Sequence, residues 1–107
     1  MSTSSNRVVA TRKLAYAYKD DPERRAFTVC INEPYLLTEG SVDFDFAEGT
    51  AGCAISFEGL PERELTVHGA DSVQAIELAV SAMEAYLRRL SKKYDFYFED
   101  GEPYFED

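Results

Sequence analysis

The chain contains no tryptophan, one histidine, two cysteines, four prolines and six glycines in 107 residues. Each scarcity removes a class of chemistry. One histidine and two cysteines, with no Cys-x-x-Cys pair, cannot assemble a four-ligand zinc site without carboxylate help. The glycines stand singly among turn residues, so no loop is built to cradle phosphate. No cofactor and no metal ion are therefore expected. No apolar run approaches the roughly 20 residues that cross a bilayer, and Met1–Asn6 is polar with no apolar stretch behind it. A membrane is not an expected partner, and the expected compartment is the cytoplasm, where Cys30 and Cys53 should remain reduced packing residues. Positive charge is also short. Eleven Lys and Arg stand against 20 Asp and Glu, a net charge of -9, which argues against nucleic acid as a ligand. A protein with a basic surface is the partner this balance suits.

What is present is enough to fold. Hydrophobic residues make up 45% of the chain and aromatics 13%, the composition of one packed domain. Residues 1–6 lack periodicity and are expected to be a disordered start, with a single domain over 7–107. From Val8 to Tyr18, Leu14, Tyr16 and Tyr18 alternate with polar or small residues, the period of two of a half-buried strand. Lys19–Glu23 is turn-forming, and Phe27, Val29 and Ile31 resume the alternation. Asn32–Ser41 holds Pro34 and Gly40 and reads as irregular. Val42, Phe44 and Phe46 alternate with Asp43 and Asp45, then Cys53, Ile55 and Phe57 with Ala54 and Ser56. That pattern predicts a second hairpin about the Glu48-Gly49 turn. Glu62–His68 reads as a further strand.

One helix is predicted, over residues 71–93. Asp71 can accept from first-turn amides as its N-cap, and Gln74 can reach back to complete a capping box. Val73, Ile76, Val80, Met83, Leu87 and Leu90 share one stripe, which predicts a core-facing side. Arg88, Arg89, Lys92 and Lys93 suit the negative end of the helix. Strands followed by a helix predict an α+β fold. Its two layers would be an antiparallel sheet of about five to six strands and one long helix, with a possible C-terminal edge strand.

Little in this pattern carries catalytic chemistry. His68 precedes Gly69 and Asp71 at a strand–helix junction, and an enzyme site there is one alternative. No nucleophile elbow or triad spacing surrounds it. Asp43-Phe44-Asp45-Phe46-Ala47-Glu48 opens like a calcium loop but lacks the next ligand and the glycine, so outward acids on a strand explain it better.

The segment 94–107 stands apart. It carries six acids and no Lys or Arg, two thirds of the net charge, interleaved with aromatics. It can close the sheet as an edge strand through Phe96 and Phe98. It can also dock a partner, with Phe96, Tyr97, Tyr104 and Phe105 giving contact area while Glu99, Asp100 and Glu102 steer a basic surface.

The runs Gly52-Cys53-Ala54-Ile55-Ser56-Phe57-Glu58-Gly59-Leu60 and Gly69-Ala70-Asp71-Ser72-Val73-Gln74-Ala75-Ile76-Glu77-Leu78-Ala79 resemble a family of short bacterial proteins catalogued as a domain of unknown function. The likeness covers about residues 7 to 90. Its most specific part is the Gly-x-Asp-x-x-Gln-Ala helix start. It implies the fold and a bacterial origin and supplies no catalytic residue. The expected function is a non-enzymatic protein-binding domain, immunity- or antitoxin-like. The alternatives are a self-associating structural or regulatory domain, possible as a homodimer, and the enzyme near His68 and Asp71.

Overall fold

The computed structural model describes residues 7–40 and 42–105. The expectation of disorder over residues 1–6 lies outside the described residues, as do Glu106 and Asp107. In chain order the elements are β1 (Val8–Tyr18), β2 (Arg25–Asn32), β3 (Tyr35–Leu36), β4 (Ala51–Glu58), β5 (Leu65–Gly69), α1 (Ser72–Leu90) and β6 (Tyr94–Phe98). The α+β architecture is the expected one: a six-stranded antiparallel sheet with one helix on its face.

The sheet runs β5-β4-β2-β1-β6, with the two-residue β3 beside β4. Ala51 and Gly52 of β4 pair with β3 and with β5 at once, and Ile55 pairs with both β2 and β5. β3 therefore lies on the β2 side of β4, as a continuation of that row after the break at Pro34. This arrangement corrects the expected strand over 42–46. Both edges of β4 are already occupied, so Val42, Asp43 and Phe44 form bends, and Phe44 instead sets its ring against His68 with centroids 5.2 Å apart. Four successive antiparallel pairings leave β5 and β6 parallel at opposite edges, and α1 carries the chain between them.

The helix is shorter than expected. It spans 19 residues, Ser72–Leu90, and ends where the Ser91 amide and hydroxyl both donate to the Arg88 carbonyl. Its start is the one predicted: Asp71 Oδ1 accepts from the Gln74 amide at 2.8 Å. The Gln74 side chain reaches back to the Ala70 amide, one residue before the cap. The buried stripe differs from the expected one. Ala75, Ala79, Met83 and Leu87 face the sheet, whereas Val73 and Val80 are 66% and 44% exposed. At its N-terminal turns the helix comes too close to the sheet for large side chains, whereas Met83 and Leu87 fit further along. A Cβ on Gly69 would lie 2.6 Å from the Ala75 amide nitrogen, so only glycine fits. Alanines on the facing turns follow from the same distance.

The core lies between α1 and one sheet face. Leu14, Tyr16, Phe27, Val29, Ile31, Cys53, Ile55, Leu87, Tyr94 and Phe96 form it. Cys30 is buried on the other face, beside Thr11 and Ser56, so the two free thiols point to opposite sides of neighbouring strands and cannot meet. Burial raises the pKa of both thiols, with the Glu58 charge adding at Cys30, so neither is held as a reactive thiolate.

Candidate functional site

The C-terminal segment is built on β6, which pairs with the second half of β1 from Leu14↔Phe98 to Tyr18↔Tyr94. Alternation sends Tyr94 and Phe96 into the core, both under 5% exposed, and turns Asp95 and Tyr97 to the open sheet face. The chain then reverses. Gly101, at φ +94°, permits a tight turn in which the Gly101 amide donates to the Phe98 carbonyl. The Phe98 amide donates to the Glu102 carbonyl at 2.8 Å. Asp100 Oδ1 accepts from the Glu102 amide at 3.0 Å. Pro103 bridges Tyr97, and the Tyr104 amide donates to the Phe96 carbonyl at 2.9 Å. The returning residues thus lie along the outer edge of β6 and satisfy part of it.

Side chains hold this return in place. The Tyr104 hydroxyl donates to Glu84 Oε1 of α1 and accepts from Arg12 Nη1 of β1, both at 2.6 Å, so one phenol ties tail, helix and sheet. Burial and the Glu84 carboxylate raise the Tyr104 pKa, with Arg12 opposing. Three guanidiniums lie over the aromatic rings: Arg12 over Tyr104, Arg24 over Tyr97 at 3.7 Å and Arg88 over Phe105 at 4.4 Å. Beside them is an open groove of about 580 Å³ bounded by Lys19, Tyr94, Tyr97, Pro103 and Phe105.

This geometry sorts the seven residues predicted to meet a partner. Phe96 is in the core and cannot reach one. Tyr97, Tyr104 and Phe105 are half-buried and already engaged by cations of their own chain. Glu99, Asp100 and Glu102 are exposed together on the turn. Phe98 is 42% exposed beside them, its ring 4.9 Å from that of Tyr104. Asp95 is paired with Lys19 at 2.6 Å.

The residues proposed for catalysis are less well assembled. Asp71 is engaged as the helix cap, and His68 is exposed with the Phe44 ring as its neighbour. Among the described residues no three His, Cys, Asp or Glu side chains are grouped to hold a metal ion, and no helix is long and apolar enough to cross a membrane.

A second polar cluster was not legible in the sequence. Glu62, in the loop after β4, accepts from the Tyr94 hydroxyl at 2.7 Å, the Tyr86 hydroxyl at 3.0 Å and Lys93 Nζ at 3.1 Å. Burial alone would raise its pKa, but the three donors outweigh burial and hold the carboxyl below its ordinary range. Burial and the same carboxylate push the Tyr94 and Tyr86 hydroxyls upward. The partners stand 24 to 32 positions away, beyond any local motif.

Comparison of the chain with protein-family models, with curated proteins and with solved structures gives no match.

Proposed function

We propose that this protein is a non-enzymatic binding domain that presents the Glu99–Glu102 turn to a basic protein surface, in the manner of an immunity or antitoxin-like inhibitor. The observation that carries the reading is that Glu99, Asp100 and Glu102 are exposed on a turn fixed by its own backbone bonds and backed by the Tyr104–Glu84–Arg12 tie. A charged turn held in this way loses little conformational freedom on binding, and its acids draw a cationic partner at a distance. The net charge of -9 adds a favourable field for the same encounter. The tail aromatics act as the frame that holds the turn, with Phe98 as the apolar contact at its base. An enzyme around His68 and Asp71 has less behind it, because the Asp71 carboxylate is occupied by the Gln74 amide.

Affinity capture with the full chain as bait, followed by kinetics with the captured protein, tests this. The triple variant Glu99→Gln, Asp100→Asn, Glu102→Gln keeps the turn, since the Asp100→Asn change retains a side-chain oxygen to accept from the residue-102 amide. Association is expected to slow by about tenfold or more at low salt and to lose most of its salt dependence. The parent's rate and salt slope in the triple variant would remove the turn from the interface.

A further inference from the structure

Sheet edges are where one chain can add to another, and this sheet treats its edges unequally. β6 is lined by the returning residues 102–104. The first half of β1 extends beyond β6, but it is irregular between Val8 and Ala10 and carries Arg12 and Lys13, two features that discourage pairing. β5 has neither protection. It pairs with β4 at all five positions without a bulge, and Leu65–Gly69 contains no Pro, Lys or Arg. Among the described residues nothing pairs with its outer side.

The surroundings of that edge are mostly apolar on the helix side and carry an exposed aromatic ring on the other. On the helix side, α1 brings Ala82, Ala85, Tyr86 and Arg89 against Leu65, Thr66 and Val67 around an open groove of about 330 Å³. Leu78 is 41% exposed on the same flank of the helix. On the opposite side, Phe44 is 49% exposed and lies against His68.

We propose that β5 pairs antiparallel with β5 of a second copy of this chain, about a two-fold axis at Val67. Although each copy carries a net charge of -9, the charges at the two ends of this edge are self-complementary, and that complementarity supports a second copy in this register. With Val67 opposite Val67, Leu65 faces Gly69 and Thr66 faces His68, and just beyond the strand ends Arg63 of each copy comes toward the capping Asp71 of the other, so opposite charges approach at both ends and no like charges are opposed. A parallel pairing would set Arg63 on Arg63 and Glu64 on Glu64. The α1 flanks then lie side by side and antiparallel, with the small Ala82 and Ala85 at the crossing and Leu78 covered. The acidic turn at β6 is at the far edge and stays open, so this surface is independent of the function proposed above.

Sedimentation equilibrium of the full chain from micromolar to millimolar concentration tests the association against the 12.1 kDa monomer mass. The parent is expected to approach twice that mass. Thr66→Lys and Leu78→Lys, both at exposed positions, should remain monomeric while melting like the parent monomer, and Arg63→Glu should raise the dimer dissociation constant about tenfold. Val67→Cys should cross-link to itself under mild oxidation, because the two-fold axis sets the two side chains directly opposite each other and the two native thiols are buried. A parent that stays monomeric throughout leaves this edge to some other occupant and overturns the proposal. So does a dimer that survives Thr66→Lys, or one in which Val67→Cys fails to cross-link.

Discussion

A carboxylate whose side chain is only 11% exposed gathers three donors at the end of α1. The charge of Glu62 therefore matters to the fold. Its pKa is lower in the folded chain than in the unfolded one, so the folded state binds fewer protons at this site. The stability it contributes is full above the unfolded value of about 4.3 and is lost as pH falls through the lower folded value. Glu62→Gln should cost about 1–3 kcal/mol at neutral pH, since Gln is uncharged and its amide nitrogen cannot accept. Urea midpoints of parent and variant should draw together as pH falls below about 4. A gap as wide at pH 3 as at pH 7 would show that the charge is not what holds the cluster.

At the scale of the element, α1 displays two apolar stripes, and the sheet selected the smaller one. Val73, Ile76 and Val80 satisfy helical spacing as well as Ala75, Ala79 and Met83 do. Periodicity finds a stripe without knowing how near the sheet will come. The close approach at Gly69 admits alanine at that interface and leaves the valines on the flank. Val80→Asp should accordingly cost about 1 kcal/mol or less, as at other exposed positions. Ala79 is 0% exposed, so Ala79→Asp buries an unpaired carboxylate and should prevent cooperative folding. Thermal melts of the two variants decide which stripe is the core, and equal damage by both would contradict the observed orientation.

For the whole molecule, the returning tail closes the gap between helix and sheet at one edge. Tyr104 and Phe105 pack on the core from outside, and their backbone lines β6. Deleting residues 99–107 removes two half-buried aromatic side chains and should cost about 1.5–3 kcal/mol, since two half burials equal the roughly 1.5–3 kcal/mol of one full burial. It also uncovers the β6 edge, so the shortened chain should aggregate at concentrations where the parent does not. Light scattering with a denaturant titration checks both effects. An unchanged midpoint and a clear solution would mean that the return neither packs nor protects.

The strands β1, β2 and β4, the helix and its cap, and the closing strand β6 were legible in the sequence because each depends on alternation, spacing or a local hydrogen bond. The sequence also placed the acids of the tail, since charge along a chain needs no folding to be read. Three matters were settled only in three dimensions. Residues 42–46 alternate like a strand yet have no edge to join, because β3 and β5 occupy both sides of β4. Glu62 is an ordinary loop acid until Tyr86, Lys93 and Tyr94 are brought to it. The tail aromatics could have pointed outward or inward. What turned Tyr104 and Phe105 inward was the position of Glu84, Arg12 and Arg88, distant residues that only the packing of α1 on the sheet brings within reach.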